Sequence, residues 1–442
     1  MKKLEMSVVH AHACGIDIGS RSHFVAVGQN DDQVKEFGIS HSSHLEIVAY
    51  LKANQVETIA MESTGSYWQS LFLVLIEAGF DVLLVPGTQT KAFRKTDVKD
   101  ARHIQQLHTL GLLNSCFLPD TFTAKVRELC RHRKSLVQDS SKYVNRMQKC
   151  LRMMNIRLDV AVSDIMGVSG RKIIGAILDG EKDPQVLASF ANARIKKTPE
   201  QLADSLHGNY KEELMYELRD NFEIFILLQE RIKGLDFEIE KYYSEHLASV
   251  AMPKDLKLAS KQLKGKNQPR FKVQEIGYKL YGVDISAING VSVNTILSLI
   301  SEIGTSLDRF PNAKAFVSWL RLAPNNRISG GNVLSGRTPK GKNALSIAFR
   351  DAANVIGNQK EGPLTSFFRK MGLKKGRLVA ITATARKLAT IIYNMIMKKQ
   401  PYNPELPKNI QDKIEQKKLS HAIKTLQKYQ LYAVDDQGVI FS

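Results

Sequence analysis

Four acidic residues are placed where they could act together: Asp17 in the alternating stretch CGIDIGS, Glu62 closing VETIAME, and Asp97 with Asp100 in RKTDVKDARHI. The last two are three residues apart, so on a helix they share one face. Carboxylates from separate elements suit hard divalent cations, which in phosphoryl transfer activate the attacking oxygen and stabilise the leaving one. Each acid alone also has a plainer explanation. Glu62 could open a turn at Ser-Thr-Gly, and Asp97 could cap a helix whose dipole favours Asp100. A second chemical feature is the run RISGGNVLSGRTPKGK, where Ser329 and Ser335 stand among Arg327, Arg337, Lys340 and Lys342. A hydroxyl nucleophile needs exposure, close approach to phosphate and help losing its proton. Gly330 and Gly331 would permit the approach and the cations would attract a polyanion, yet either serine serves equally well as a turn residue.

The elements that must position these groups are legible upstream. CGIDIGSRSHFVAVG reads as two short strands joined by a polar turn, with Ile16 and Ile18 on the face opposite Asp17. A third strand near 34–39 follows, then a helix over 43–53, the strand VETIAM, a helix over 67–78 and the strand DVLLV. Three early strands followed by alternating helix and strand is the order of a ribonuclease H-like α/β domain. That order brings the first strand, the fourth strand and a later helix to one edge. Tyr67 and Trp68, after Glu62, are read as the apolar start of a helix rather than as base-stacking groups.

From Phe122 to Arg157 the pattern turns helical, and Cys130, Val137, Val144 and Leu151 recur every seven residues, like one seam of a coiled coil. Residues 125–157 hold ten Lys or Arg against only Glu128 and Asp139, so Arg131, Arg133 and Lys134 are expected on exposed faces as nucleic-acid contacts. A second heptad series, Leu218, Phe225, Ile232 and Ile239, predicts a partner helix in the same chain or in another. The basic stretch PKDLKLASKQLKGKNQPRFK reads as a linker or loop, and further helices flank a Gly-rich loop around Ser329 up to about Met397. The expected organisation is an α/β unit over 1–120, a basic coiled coil over 121–250, a linker over 251–275, a mostly helical domain over 276–400 and a polar tail over 401–442.

The 63 Lys and Arg against 44 Asp and Glu leave a formal net charge of +19, which favours a polyanionic partner. No apolar run reaches the roughly 18–20 residues of a membrane span, so a membrane is not the expected anion. Four cysteines without any C-x-x-C pair indicate neither a zinc site nor a disulfide framework, and a cytoplasmic setting is expected.

GIDIGSRSHFVAV, MESTGSYW and KTDVKDARHI resemble the D, E, D, D motifs of the DEDD insertion-sequence transposases, whose N-terminal domain is similar to the RuvC Holliday-junction resolvase. GVDISAINGVSVNTILSLISEIG, the run from Arg309 to Leu345 and AITATARKLATIIYNM resemble that family's C-terminal domain, and together the likeness spans about residues 12–400. Two positions depart from the pattern: Ser292 stands where a second glycine is usual, and Ile328 precedes the serine where relatives often carry a polar residue. The resemblance implies that Asp17, Glu62, Asp97 and Asp100 bind Mg2+ (or Mn2+). It also implies that Ser329 rather than Ser335 attacks a DNA phosphate, forming a phosphoserine link. It further implies a structured guide RNA, a dimer or tetramer with a composite site, and residence near the nucleoid of a prokaryotic cell. Two other readings compete: a hydrolytic RuvC-like nuclease using the carboxylates alone, and a non-catalytic nucleic-acid-binding protein. The first would leave no protein on DNA, and the second has no use for an acidic cluster.

Overall fold

The computed structural model describes residues 7–63, 65–90, 96–192, 195, 197–253, 256–258, 265, 267–341, 343–404, 408–428, 433–434 and 440–441. The chain divides into two compact units, Met1–Leu118 and Pro119–Ser442.

In the first unit, β1 (Ala13–Ile18), β2 (His23–Ala26) and β3 (Val34–Phe37) pair antiparallel, because only short turns join them. Next come α1 (His41–Ala53), β4 (Thr58–Glu62), α2 (Trp68–Glu77) and β5 (Asp81–Val85). The helical crossovers let β4 run parallel to β1 and β5 parallel to β4, giving the sheet order β3-β2-β1-β4-β5. Each element lies within a few residues of its expected place. Ile16, Ile59 and Met61 of the central strands are fully buried with Ile47, Leu51, Leu71 and Leu75 of the two helices, which form the core. Trp68 is half-buried at the rim of this core, edge-on to Phe72, whereas Tyr67 is exposed.

The last helix of this unit, α3 (Asp97–Thr109), buries Ala101, Ile104, Gln105 and His108, the spacing of a single helical stripe. It lies directly on β1, because Gly15 offers no side chain: a Cβ there would collide with the backbone of Ala101 and Gln105. Gln105 Nε2 donates to Ala13 O at 3.1 Å, and His108 Nε2 bonds Thr58 Oγ1 at 2.9 Å, tying the helix to β1 and β4.

The second unit is mostly helical. α4 (Thr121–Met153) begins at Asp120, whose carboxylate accepts from Thr123 N, and it runs beside α9 (Glu212–His246). Between them in sequence, α5 (Leu158–Ala161), α6 (Val168–Leu178), α7 (Pro184–Ser189) and α8 (Pro199–Leu206) pack on the far ends of this pair around Ile173, Ile174 and Leu206. The expected α9 series Leu218, Phe225, Ile232 and Ile239 is buried throughout. On α4 the expected row is only partly sealed, with Val137 and Val144 half-buried, and a second row, Val126, Arg133, Ser140 and Met147, is buried instead. The two long helices thus pair within one chain, across a seam that includes polar rungs at Arg133–Asp236 and Ser140–Gln229.

Downstream lie α10 (Val273–Tyr281), α11 (Val293–Ile303) and α12 (Ala313–Trp319), then α13 (Ala344–Asn358), α14 (Pro363–Lys375) and α15 (Arg377–Lys398). Ser292, the departure from a second glycine, is the N-cap of α11 and accepts from Thr295 N at 3.2 Å. The Gly-rich stretch expected as a loop is a hairpin, β6 (Arg327–Ser329) and β7 (Asn332–Ser335). The polar tail contains α16 (Lys408–Lys428). Among the described residues no helix is long and apolar enough to cross a membrane.

Candidate functional site

Asp17 and Glu62 each lie one step beyond the registered pair Ile16–Met61 on adjacent parallel strands. Since Ile16 and Met61 are fully buried, alternation turns both acids to the other side, where they are half-buried. Thr96 caps α3 and accepts from Lys99 N at 3.3 Å, placing Asp97 and Asp100 in the first helical turn. Because Gly15 and Asp17 share a face of β1, the packing of Ala101 over Gly15 carries that turn toward Asp17.

The electrostatics agree with this placement. Burial first, and then the charges of Asp100, Glu62 and Asp97, push Asp17 up to about 6. Among the described residues, no three acid, His or Cys side chains close on a common point as metal ligands. The donor set nevertheless fits a hard divalent cation in its chemistry: four carboxylates from three elements, close enough that the other three oppose the ionisation of Asp17. Gly87 leaves room beside Glu62, where a Cβ would stand 2.5 Å from Oε1.

Crowding of like charge has a measurable consequence. A carboxyl whose folded pKa lies above its unfolded value binds protons more tightly when folded, so its contribution to stability is lost as pH rises from about 4 to about 6. After allowance for its partial exposure the loss is about 1–2 kcal/mol. His23 and His108, both lowered to about 4 by burial, act in the opposite sense over an overlapping window, so the raw profile mixes the two. The isolating measurement is the difference between wild type and Asp17→Asn in chelator-treated protein. The variant should gain a few degrees in melting temperature at pH 7 relative to wild type, and little at pH 4. Equal profiles at both pH values would show that neither burial nor the neighbouring acids raise the proton affinity of Asp17.

The serine lies in the other unit. Ser329 and Asn332 are cross-strand partners, and the two residues between them, Gly330 (φ 53°) and Gly331 (φ 79°), both require positive φ, as a tight two-residue hairpin turn does. Arg321 donates to Lys340 O and Asn325 N donates to Arg337 O at 2.9 Å, closing the base of the hairpin. Ser329 is exposed at the tip, with Arg327, Arg337 and Lys340 also exposed; Lys342 lies outside the described residues. Ser335 is half-buried and its hydroxyl accepts from Arg337 N at 3.4 Å, a local structural role.

Of the three cations expected to face nucleic acid on α4, Lys134 is exposed, but Arg133 is not: its side chain is 5% exposed and Nε donates to Asp236 Oδ1 of α9 at 2.5 Å. Its position in the buried row explains this, since a guanidinium there must find an acid or remain uncompensated. Arg131 remains half-exposed but grips the buried Glu302 of α11 through Nε at 3.0 Å and Nη2 at 2.9 Å. The exposed basic face of α4 continues instead through Arg146 and Lys149, which heptad reading did not single out.

A sheet in this order, with acids on β1, at the end of β4 and on the helix laid over β1, has the arrangement of a ribonuclease H-like nucleic-acid enzyme. The chain belongs to the DEDD insertion-sequence transposases of the IS110 type. Residues 14–156 match a DEDD transposase model, and residues 284–367 match a second, described as the transposase IS116/IS110/IS902 family. No curated protein matches the chain significantly. The family makes the protein a DNA-processing enzyme of transposition, with DNA as its partner.

Proposed function

We propose that the protein cuts and rejoins DNA with Ser329 as nucleophile and a Mg2+ or Mn2+ site held by Asp17, Glu62, Asp97 and Asp100. The observation that carries this is the placement of acids from β1, β4 and α3 near Asp17, whose proton affinity is raised first by burial and then by the charges of Asp100, Glu62 and Asp97. A divalent ion there supplies Lewis-acid stabilisation of charge on the phosphate oxygens. Ser329 Oγ forms a bond to the scissile phosphorus as the bond to a deoxyribose oxygen breaks, and the serine proton passes to the departing side. The phosphoserine ester keeps the bond energy for the reverse attack that rejoins strands. Arg327, Arg337 and Lys340 hold the phosphate backbone at the hairpin.

Residues 309–350 contain no Asp or Glu, so the acids must be brought to the serine from elsewhere. A composite site in a homo-oligomer, one subunit supplying the hairpin and another the acids, answers that need. The net charge of +19 and the exposed basic face of α4 support a structured guide RNA as second partner.

A suicide DNA substrate tests the chemistry. Serine attack leaves protein on DNA after denaturation, whereas water attack leaves none. A chain that cleaves with Mg2+ yet never forms an adduct would be a hydrolytic nuclease.

The nucleic-acid face has its own test. Changing Lys134, Arg146 and Lys149 together to Gln should weaken RNA or DNA binding and reduce the log–log salt slope by about 2–3, since each lost phosphate contact removes somewhat less than one released counterion. An unaltered slope places the nucleic acid elsewhere. Arg133 is left intact in this design, because its removal would strand Asp236 in the seam and cost about 3–5 kcal/mol of stability.

A further inference from the structure

Glu62 is the acid whose surroundings are most closely built. Immediately after β5 the chain turns through Pro86–Thr90, with Gln89 N donating to Pro86 O at 2.9 Å. The turn is anchored by a two-way amide clamp: Gln89 Nε2 donates to Asn114 O at 3.2 Å and Asn114 N donates to Gln89 Oε1 at 2.8 Å. Thus held, Thr90 is 4% exposed and its hydroxyl donates to Glu62 Oε2 at 2.5 Å. The other carboxylate oxygen faces Gly87, where a Cβ would stand 2.5 Å from Oε1 and 2.9 Å from Cδ. A short bond from a buried hydroxyl to one oxygen and a missing side chain beside the other fix the plane of the carboxylate from two sides.

We propose that Pro86–Thr90 is a cradle that orients Glu62 for metal binding, with Thr90 as a positioning residue acting through that carboxylate. The proposal rests on the reading of Glu62 as a metal-binding acid. A flexible glutamate in a cluster of like charges would turn toward solvent. A donor that holds one oxygen fixes the plane of the carboxylate, and such outer partners are worth about 10–100-fold in metal affinity. Glycine at 87 is required by the close approach of the carboxylate, so a methyl group there should act on the same property by pushing Glu62 aside.

The experiment is calorimetric titration of the full-length, chelator-treated chain with Mn2+, no DNA being present. Thr90→Val should bind Mn2+ about tenfold more weakly. Thr90→Ser, which keeps the donor, should match wild type, and Gly87→Ala should lose affinity as Thr90→Val does. The deciding arm is a double-substitution cycle: on a Glu62→Gln background, Thr90→Val should have no further effect, because its influence runs through the carboxylate. Wild-type affinity in Thr90→Val, or an additive loss on the Glu62→Gln background, would overturn the cradle while leaving the metal site standing. No Mn2+ binding by wild type, or full binding by Asp17→Asn, would overturn the metal reading and the cradle with it.

Discussion

Ser329→Ala should abolish both recombination and the denaturation-resistant protein–DNA adduct, while leaving the fold untouched. The hydroxyl sits at the exposed tip of a hairpin whose glycines meet nothing within 4 Å, so its removal opens no cavity and should change stability by less than about 0.5 kcal/mol. What it deletes is the covalent step, and any remaining strand scission must come from water. Ser335→Ala is the matched control. It loses a contact to Arg337 N at the hairpin's shoulder and should still form the adduct, at most about tenfold more slowly if the hairpin loosens, a figure of order one weak hydrogen bond. Retention of the adduct in Ser329→Ala on suicide DNA, with the four acids intact, would assign the attack to another residue.

Asp97→Asn is the second large effect. Outer partners of a metal site are worth about 10–100-fold, so converting one of the proposed ligands to a neutral amide should lower Mg2+-dependent cleavage by more than about 100-fold. Folding should survive, because Asp97 is exposed in the first turn of α3, Asn preserves its shape, and Thr96 still caps the helix. The lost interaction with the helix dipole, about 0.3–1 kcal/mol, is offset by relief of repulsion on Asp17. The measurement pairs a cleavage time course with DNA-binding anisotropy and circular dichroism on the same preparation. Cleavage near the wild-type rate in Mg2+ would remove Asp97 from the site.

Much of this was legible in the residues because period-two and helical patterns report burial directly. Asp17 between Ile16 and Ile18, and the Asp97–Asp100 spacing, are local facts that survive folding unaltered. Other features depend on distant approach. Thr90 carries no periodic signal, since its role comes from the clamp between Gln89 and Asn114. Arg133 is hidden from such a reading, because the composition of a lysine- and arginine-rich helix points its cations outward, whereas the second buried row of α4 runs through it. The hairpin could have been found: Gly330-Gly331 between Ile328-Ser329 and Asn332-Val333 is a two-residue turn signal, obscured by the third and fourth glycines nearby.

The polar rungs between α4 and α9 have one more implication. An all-aliphatic seam tolerates sliding by a heptad, since one greasy layer resembles the next. Here Arg133 meets Asp236, and Ser140 accepts from Gln229 Nε2 at 2.9 Å, seven residues further along α4 and seven back along α9. A slip by a heptad in either direction parts Arg133 from Asp236 and leaves each without its opposite charge, so the pair of helices is indexed like a toothed rack. With 33 residues in α4, at about 1.5 Å each, the result is a strut about 50 Å long with its register set by charge as well as by packing.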